Sequence, residues 1–374
     1  MKSRGRRNRC LGAVGLALAF VVVACRRPGV PEPSLLRLGQ PTSALSLDPH
    51  LHDEESTYST LEHFYERLVA FGRDMELVPE LALAWQNPTD TLWRIRLRRG
   101  VVFHDGRPFG AEDVAASLRR ARSLPGSRVA YYLESVAEVR VVDSETVEIV
   151  TAGPSPVLLN KLAFIGIVPR DTPLAPVTRP VGTGPYRFIG GTAGGVIDAE
   201  RFEKHWGPAP AFDRVRFLSF PDARSRGEAV PMGHADVVSR FPYEMAGWAA
   251  RLHSMKLVSV PGLGVTLLGF AVRPPSPYAD PRVRKGIAAA IDRIRLLPEE
   301  ERKHSTPMDQ FVPAGVFGHI SGTSPAPPNL AESARLLAEA GFPDGFKTTF
   351  YDWDIGWEAG SAGTTNPCQY YKEG

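Results

Sequence analysis

The stretch GVVFHDGRPFGAEDVAASLRRA, Gly100 to Ala121, holds the end of one element, a turn, and the start of another. Val101 to Phe103 read as the close of a strand running into polar turn residues. Gly106 tolerates backbone angles that other residues avoid, and Pro108 fixes one, so DGRP is turn chemistry. A helix follows at once. Gly110 stands at the N-cap, Asp113 favours the positive helix N-terminus, and Val114, Leu118 and Ala121 make a buried stripe. His104 beside Asp105 raises the question of a catalytic pair. Such a dyad needs a nucleophile and an orienting third group, and the sequence identifies neither, so the pair reads as a device of the turn.

Working outward, Trp93, Ile95 and Leu97 alternate with Arg94, Arg96 and Arg98, which predicts a half-buried strand whose arginine row is the wet face of a sheet. The segment VAEVRVVDSETVEIV, Val136 to Val150, predicts a hairpin turning at Asp143, Ser144 and Glu145. Earlier, LLRLG at Leu35 reads as a short buried strand, and SLDPH at Ser46 as a loop. STYSTLEHFYERLVAF, Ser56 to Phe71, predicts one helix with Leu61, Phe64, Tyr65 and Leu68 on one face. Further on, Asp280 caps and Pro281 opens a helix carrying Val283, Ile287, Ala290, Ile291 and Ile294 on one side. Asn329 caps another, in which Leu336 and Leu337 pack and which Gly341 ends.

The chain has 374 residues, enough for two or three lobes with separate cores. An apolar content of 43% and a charged content of 23% are those of a globular protein, and 44 basic against 41 acidic residues give no reason to propose nucleic acid as a partner. Lys2, Arg4, Arg6, Arg7 and Arg9 precede an apolar run from Leu11 to Val23, the shape of a secretory signal peptide over residues 1–24. Ala24 before Cys25 resembles the lipobox of bacterial lipoproteins, which makes Cys25 the expected site of lipidation and membrane anchorage. A proline-rich tether would then span residues 25–34. With Cys10 removed and Cys25 acylated, Cys368 is left without a disulfide partner, so stability must come from core burial.

His50 and His52 form a His-x-His pair, but no Cys, Asp or Glu at ligand spacing accompanies them and no metal is assigned. The chain has no Gly-x-Ser-x-Gly, no His-Glu-x-x-His and no phosphate-cradling loop, which argues against an enzyme, and no cofactor is expected.

The opening stretch, with its FHDG, PF and AEDV, resembles the signature of the family 5 extracellular solute-binding proteins, the oligopeptide, dipeptide and nickel receptors of ABC importers. Gly110 stands where that family usually has threonine, a loss of side-chain capping costing about a few tenths of a kcal/mol. LVPELALAW, VGTGPYRF, HWGPAPAFDRVRFLSFPDARSR, DPRVRKGIAAAIDR and AESARLLAEAGFPDGF follow in family order and extend the resemblance over most of Leu35 to Phe346. It implies an α/β, two-lobed, periplasmic-binding-protein-like clamp of type II with an inserted subdomain. Residues 35–72 and 179–263 would form lobe I, 73–178 the inserted subdomain, and 264–346 part of a lobe II left incomplete. The family pattern gives way after Phe346, so residues 347–374 are expected to be an irregular tail. The resemblance also implies capture of oligopeptides or a similar small solute in the interlobe cleft and delivery to an ABC permease. The protein would be a monomer anchored on the periplasmic or extracellular face. His52 and Tyr58, and then Arg128, Tyr131 and Tyr132, fall where relatives line the ligand site. The alternative is a truncated, inactive or repurposed surface lipoprotein that keeps the fold as a scaffold.

Overall fold

Strand β1, Leu35–Gln40, runs parallel to two strands from far down the chain, which places the region before residue 41 and the region after residue 213 in one sheet. The computed structural model describes residues 34–260, 262–297, 302, 304–348, 350–351 and 367–368. The expected signal peptide, Cys25 and nearly all of the tether lie outside the described residues, as does most of 347–374. In that last stretch the backbone of Phe350–Tyr351 pairs antiparallel with Pro367–Cys368. No helix among the described residues is long and apolar enough to cross a membrane.

The later strands in chain order are β2 Val69–Phe71, β3 Leu77–Pro79, β4 Ala82–Thr89, β5 Leu92–Leu97, β6 Val136–Asp143, β7 Thr146–Thr151, β8 Tyr186–Gly191, β9 Ile197–Arg201, β10 Arg214–Ser219 and β11 Val237–Val238. The first sheet has the order β11-β1-β10-β9-β8 and the second β4-β5-β7-β6, while β2 and β3 form a separate hairpin. The helices that matter for the site are α1 Glu55–Leu61, α2 Ala111–Ser123 and α3 Leu158–Leu162.

The second sheet is wholly antiparallel and follows its sequence pattern. Trp93, Ile95 and Leu97 are buried with Val147 and Ile149, and with Val114, Leu118 and Ala121 of α2. Each such valine, leucine or isoleucine side chain contributes roughly 1.5–3 kcal/mol through burial. On the other face Arg94 stands opposite Glu148 in register and pairs with it at 2.6 Å. Arg98 departs from the expected wet row. Its guanidinium carbon lies 3.7 Å from the centroid of the Trp206 ring, and its Nε donates to the Glu80 carbonyl at 3.1 Å. A second core gathers Leu47, Leu61, Phe64, Tyr65, Tyr186, Ile197, Val215 and Phe217 against the first sheet.

Three expected elements differ. The helix predicted over Ser56 to Phe71 stops at Leu61, although Leu61, Phe64, Tyr65 and Leu68 are all buried. Beyond that point the carbonyls accept from distant chain. His63 accepts from the Tyr186 N–H at 3.1 Å, Phe64 from Gly184 at 3.0 Å, Glu66 from Ile167 at 2.9 Å and Leu68 from Ala82 at 2.8 Å. Two glycines make this approach possible. A Cβ at Gly182 would sit 2.0 Å from the Phe64 carbonyl oxygen, and one at Gly184 would sit 2.5 Å from that of His63. Val101–Phe103 form no strand of a sheet. They fold back through a single bridge, Val102 to Pro108, closed by Phe103 N–H to the Arg107 carbonyl at 2.8 Å. The helix Pro281–Ala290 is capped by Asp280 as expected but ends before Ile291, leaving Ile294 exposed.

The start of α2 is as anticipated, with the Asp113 carboxylate accepting from the Gly110 N–H at 2.9 Å and its other oxygen accepting from the Arg170 N–H at 2.9 Å. His104 does more than shape a turn. Its Nε2–H donates to the Gly184 carbonyl at 3.0 Å, its Nδ1 accepts from the Gly182 N–H at 3.3 Å, and its own N–H donates to the Gly182 carbonyl at 2.8 Å. It clasps the glycine-rich crossover to the turn, while Asp105 pairs with Arg107 instead. Burial lowers the His104 pKa to about 4, in keeping with a neutral ring that donates at one nitrogen and accepts at the other.

Residues 262–348 are built differently. The helices Pro281–Ala290 and Leu330–Glu339 pack together where a Cβ on Gly286 would meet the Leu337 side chain at 3.2 Å. Beyond Ala249, Val283 is the one buried apolar side chain among the described residues, whereas Val260, Phe311 and Phe317 are 72%, 75% and 81% exposed.

Candidate functional site

The loop Ser46 to Glu54 is pinned from beneath by a buried ion pair. Asp48, fully buried, meets Arg120 of α2 through Oδ2 and Nη2 at 2.5 Å and through Oδ1 and Nη1 at 3.0 Å. Asp48 also accepts from the backbone of His50 at 2.9 Å and of Val177 at 3.0 Å. Burial opposes its charge, but the Arg120 hydrogen bonds prevail and hold its pKa below the ordinary carboxylate value. His50 lies between Arg120 and the Gly166 carbonyl, each 2.9 Å from a ring nitrogen, and burial lowers its pKa to about 4. The first histidine of the His-x-His pair is thus a structural link. Among the described residues no group of three or more His, Cys, Asp and Glu is placed to hold a metal ion.

The fixed loop presents His52 and leads into α1, whose N-terminus Glu54 caps by accepting from the Ser56 and Thr57 N–H groups at 2.9 and 2.7 Å. A run of rings starts there. His52 and Tyr58 have centroids 6.2 Å apart, Tyr58 and Phe164 6.1 Å, Phe164 and Tyr132 4.8 Å in a parallel stack, and Tyr132 and Tyr131 4.1 Å. Tyr131, half-exposed, ends the run at the surface. Four of the five candidate binding residues are brought together in this way. Arg128 is not among them: its N–H donates to the His50 carbonyl at 2.9 Å, and its side chain is exposed. Phe164, which joins the two halves of the run, has no signal in the sequence that sets it apart from a core phenylalanine.

Below the rings lies a recess lined by His52, Tyr58, Glu62, Arg67 and Phe164, with about 20 Å³ of free space. Arg67 is buried and pairs with Glu80 at 3.1 Å. Its Nη1 donates to the Tyr58 hydroxyl, which donates in turn to the Ala163 carbonyl at 3.4 Å. Desolvation raises the pKa of Glu80 and of Tyr58. Burial lowers that of His52 to about 4, and its Nδ1 has no hydrogen-bond partner. Nothing here resembles an activated nucleophile. The arrangement offers flat apolar contact and fixed charges, which suits binding.

The model of the bacterial extracellular solute-binding proteins, family 5, matches residues 76–371. The chain is 29% identical over 319 residues to the glutathione-binding protein GsiB of Salmonella choleraesuis, and 28% over 320 residues to that of Pectobacterium atrosepticum. In both comparisons 82% of this chain is covered, and it spans 61% of the relative's length. Among solved structures, the ABC transporter-associated periplasmic binding protein DppA of Helicobacter pylori in complex with the peptide STSA superposes with a TM-score of 0.71 at 24% identity, covering 84% of this chain and 67% of that one. NikZ of Campylobacter jejuni in complex with Ni(L-His) gives 0.71 at 18% identity, covering 86% and 64%. Those two likenesses speak for the fold, and the family match adds the lineage. With the fold a mixed α/β one of the type II periplasmic-binding-protein kind, the chain belongs to the family 5 extracellular solute-binding proteins, a family of receptors and not of enzymes.

Proposed function

We propose that this chain is an extracytoplasmic lipoprotein that captures peptides or a similar small solute for an ABC importer, with Cys25 carrying the lipid. Residues 35–72 and 179–263 act as lobe I, 73–178 as the inserted subdomain and 264–346 as part of lobe II. The solute sits against lobe I and the inserted subdomain, at His52, Tyr58, Tyr131 and Tyr132, with Arg128 at the edge. Closure about a hinge then presents the loaded form to a permease. The observation that carries this reading is the ring series that joins the loop after β1 to the segment after α2, two stretches about seventy residues apart in sequence. Relatives named for glutathione, and neighbours holding a tetrapeptide or a nickel–histidine complex, support small amino-bearing solutes or chelates as the class to test.

The test is thermal stabilisation of the mature chain by peptide pools, glutathione and nickel–histidine complexes. A ligand at a hundred times its Kd stabilises by about 2.7 kcal/mol, so a clear rise in Tm is expected from one class. No rise from any of them counts against capture. Mass spectrometry of the membrane fraction tests the anchor, which requires an acylated Cys25 at the mature N-terminus. The exposed Val260, Phe311 and Phe317 favour a second reading, a surface scaffold without transport. That reading expects no stabilisation by any solute while the lipid is present.

A further inference from the structure

The helices Pro281–Ala290 and Leu330–Glu339 are joined by an excursion, residues 291–329, that leaves and returns at one end of the pair, where the Asn329 N–H donates to the Ala289 carbonyl at 2.7 Å. Within it, residues 310–320 close into a compact loop. Gln310 clasps Ile320 twice, its Nε2 donating to that residue's carbonyl at 2.8 Å and its Oε1 accepting from that residue's N–H at 3.0 Å. Inside the loop the Val316 N–H donates to the Pro313 carbonyl at 3.2 Å, the His319 N–H to that of Val316 at 3.0 Å, and the His319 Nδ1–H to that of Val312 at 2.7 Å. Gly315 and Gly318 take positive φ values of 86° and 99°, so the backbone turns on either side of Phe317.

A loop braced from within has its large apolar side chains pointing outward. Phe311, Phe317 and Ile320 are 75%, 81% and 65% exposed, and Ile294, Leu296 and Leu330 are exposed at the same end of the helix pair. From Gln310 to Ala331 the sequence has no Asp, Glu, Lys or Arg, and the charged residues of the excursion all come earlier, from Asp292 to Asp309. The nature of this surface decides what covers it. A protein partner offers a fixed surface and commonly meets an apolar centre ringed by a polar rim. Here the side chains stand out singly on a loop without charge. A bilayer interface moulds itself around such projections and asks chiefly that the inserted backbone groups be satisfied. The Gln310 clasp and the bonds of Val316 and His319 supply that from inside the loop.

We propose that this loop inserts Phe311, Phe317 and Ile320 into the interface of a phospholipid bilayer, so that residues 262–348 rest on the membrane. The inference goes beyond solute capture and holds for a receptor or a scaffold alike. Apolar burial drives the contact, so it depends little on headgroup charge or on salt.

Vesicle flotation tests it with the chain from Arg26 onward, which keeps every described residue and lacks the apolar signal run and the lipid. Binding is expected both to phosphatidylcholine vesicles and to vesicles with an equal share of phosphatidylglycerol, with little change on adding salt. Phe311→Ser with Phe317→Ser should weaken it on the order of a hundredfold, about tenfold for each large apolar side chain kept in water, while Tm stays the same. Phe317→Trp gives a second reading, since its added emission should be quenched by brominated phosphatidylcholine. No flotation, equal binding by the double variant, unquenched emission, or binding confined to phosphatidylglycerol and abolished by salt would each overturn the insertion. So would a dimer in analytical ultracentrifugation that the same substitutions dissolve, because the loop would then cover a second copy of the chain.

Discussion

Residues 34–250 and residues 262–348 are held together by different means. The first region has two cores, a buried Asp48–Arg120 pair and a histidine clasp. Among its described residues the second has two packed helices, one buried valine and many exposed large apolar side chains. Burial is what offsets conformational entropy, so stability should concentrate in the first region and solvent should reach most of the second.

Acid gives the widest break between them. His50, His52 and His104 all lie in the first region, and burial lowers each pKa to about 4 from 6.5. The unfolded chain therefore binds more protons than the folded one between those values, and the stability they lend is complete above pH 6.5 and lost progressively as pH falls towards about 4. Asp48, with its depressed pKa, adds a loss at still lower pH, as the pH falls through its folded value. Circular dichroism melts across this range should show Tm falling steeply, and replacing His104 with Gln should flatten the slope. An unchanged Tm from pH 7 to pH 4 would contradict the buried neutral state.

Next comes Arg120→Ala, which leaves the Asp48 carboxylate buried and unpaired and should cost about 3–5 kcal/mol in denaturant unfolding. A smaller effect, about 1–3 kcal/mol, is expected from Gly182→Ala, because the added methyl runs into the Phe64 carbonyl and the crossover must shift. The least is expected from Phe317→Ser and Ile320→Ser. Both side chains are well exposed, so each should change stability by no more than about 0.5 kcal/mol while improving solubility. A large loss from either would mean that the second region has a core of its own.

The sequence speaks most clearly where a pattern and its structural cause are both local. Trp93, Ile95 and Leu97 alternate because one face of β5 is buried, and Gly110 and Asp113 mark a helix start through bonds three residues long. Leu61, Phe64, Tyr65 and Leu68 mislead because burial alone does not reveal the backbone that achieves it. Helical spacing and an irregular chain bonded to Tyr186, Gly184 and Ile167 bury the same four side chains, and the donors lie about a hundred residues away or more. The site divides in the same way. His52, Tyr58, Tyr131 and Tyr132 were accessible through the family resemblance. Arg67, Glu80, Glu62 and Phe164 were not, since ion pairs and ring stacks between separate elements leave no periodic trace. Arg128 meets this region through its backbone, whose N–H donates to the His50 carbonyl, a contact that its residue type does not foretell.

One contact of the first region also has a practical use. The Trp206 indole N–H donates to both oxygens of Glu66 at 2.9 Å, while the Arg98 guanidinium covers the ring. An indole fixed between an anion and a cation emits at a wavelength governed by that local field. The protein thus contains its own optical gauge: once the other five tryptophans are replaced by phenylalanine, light from Trp206 would shift as soon as Arg98, just past the end of β5, parts from the segment bearing Glu66, with no label attached.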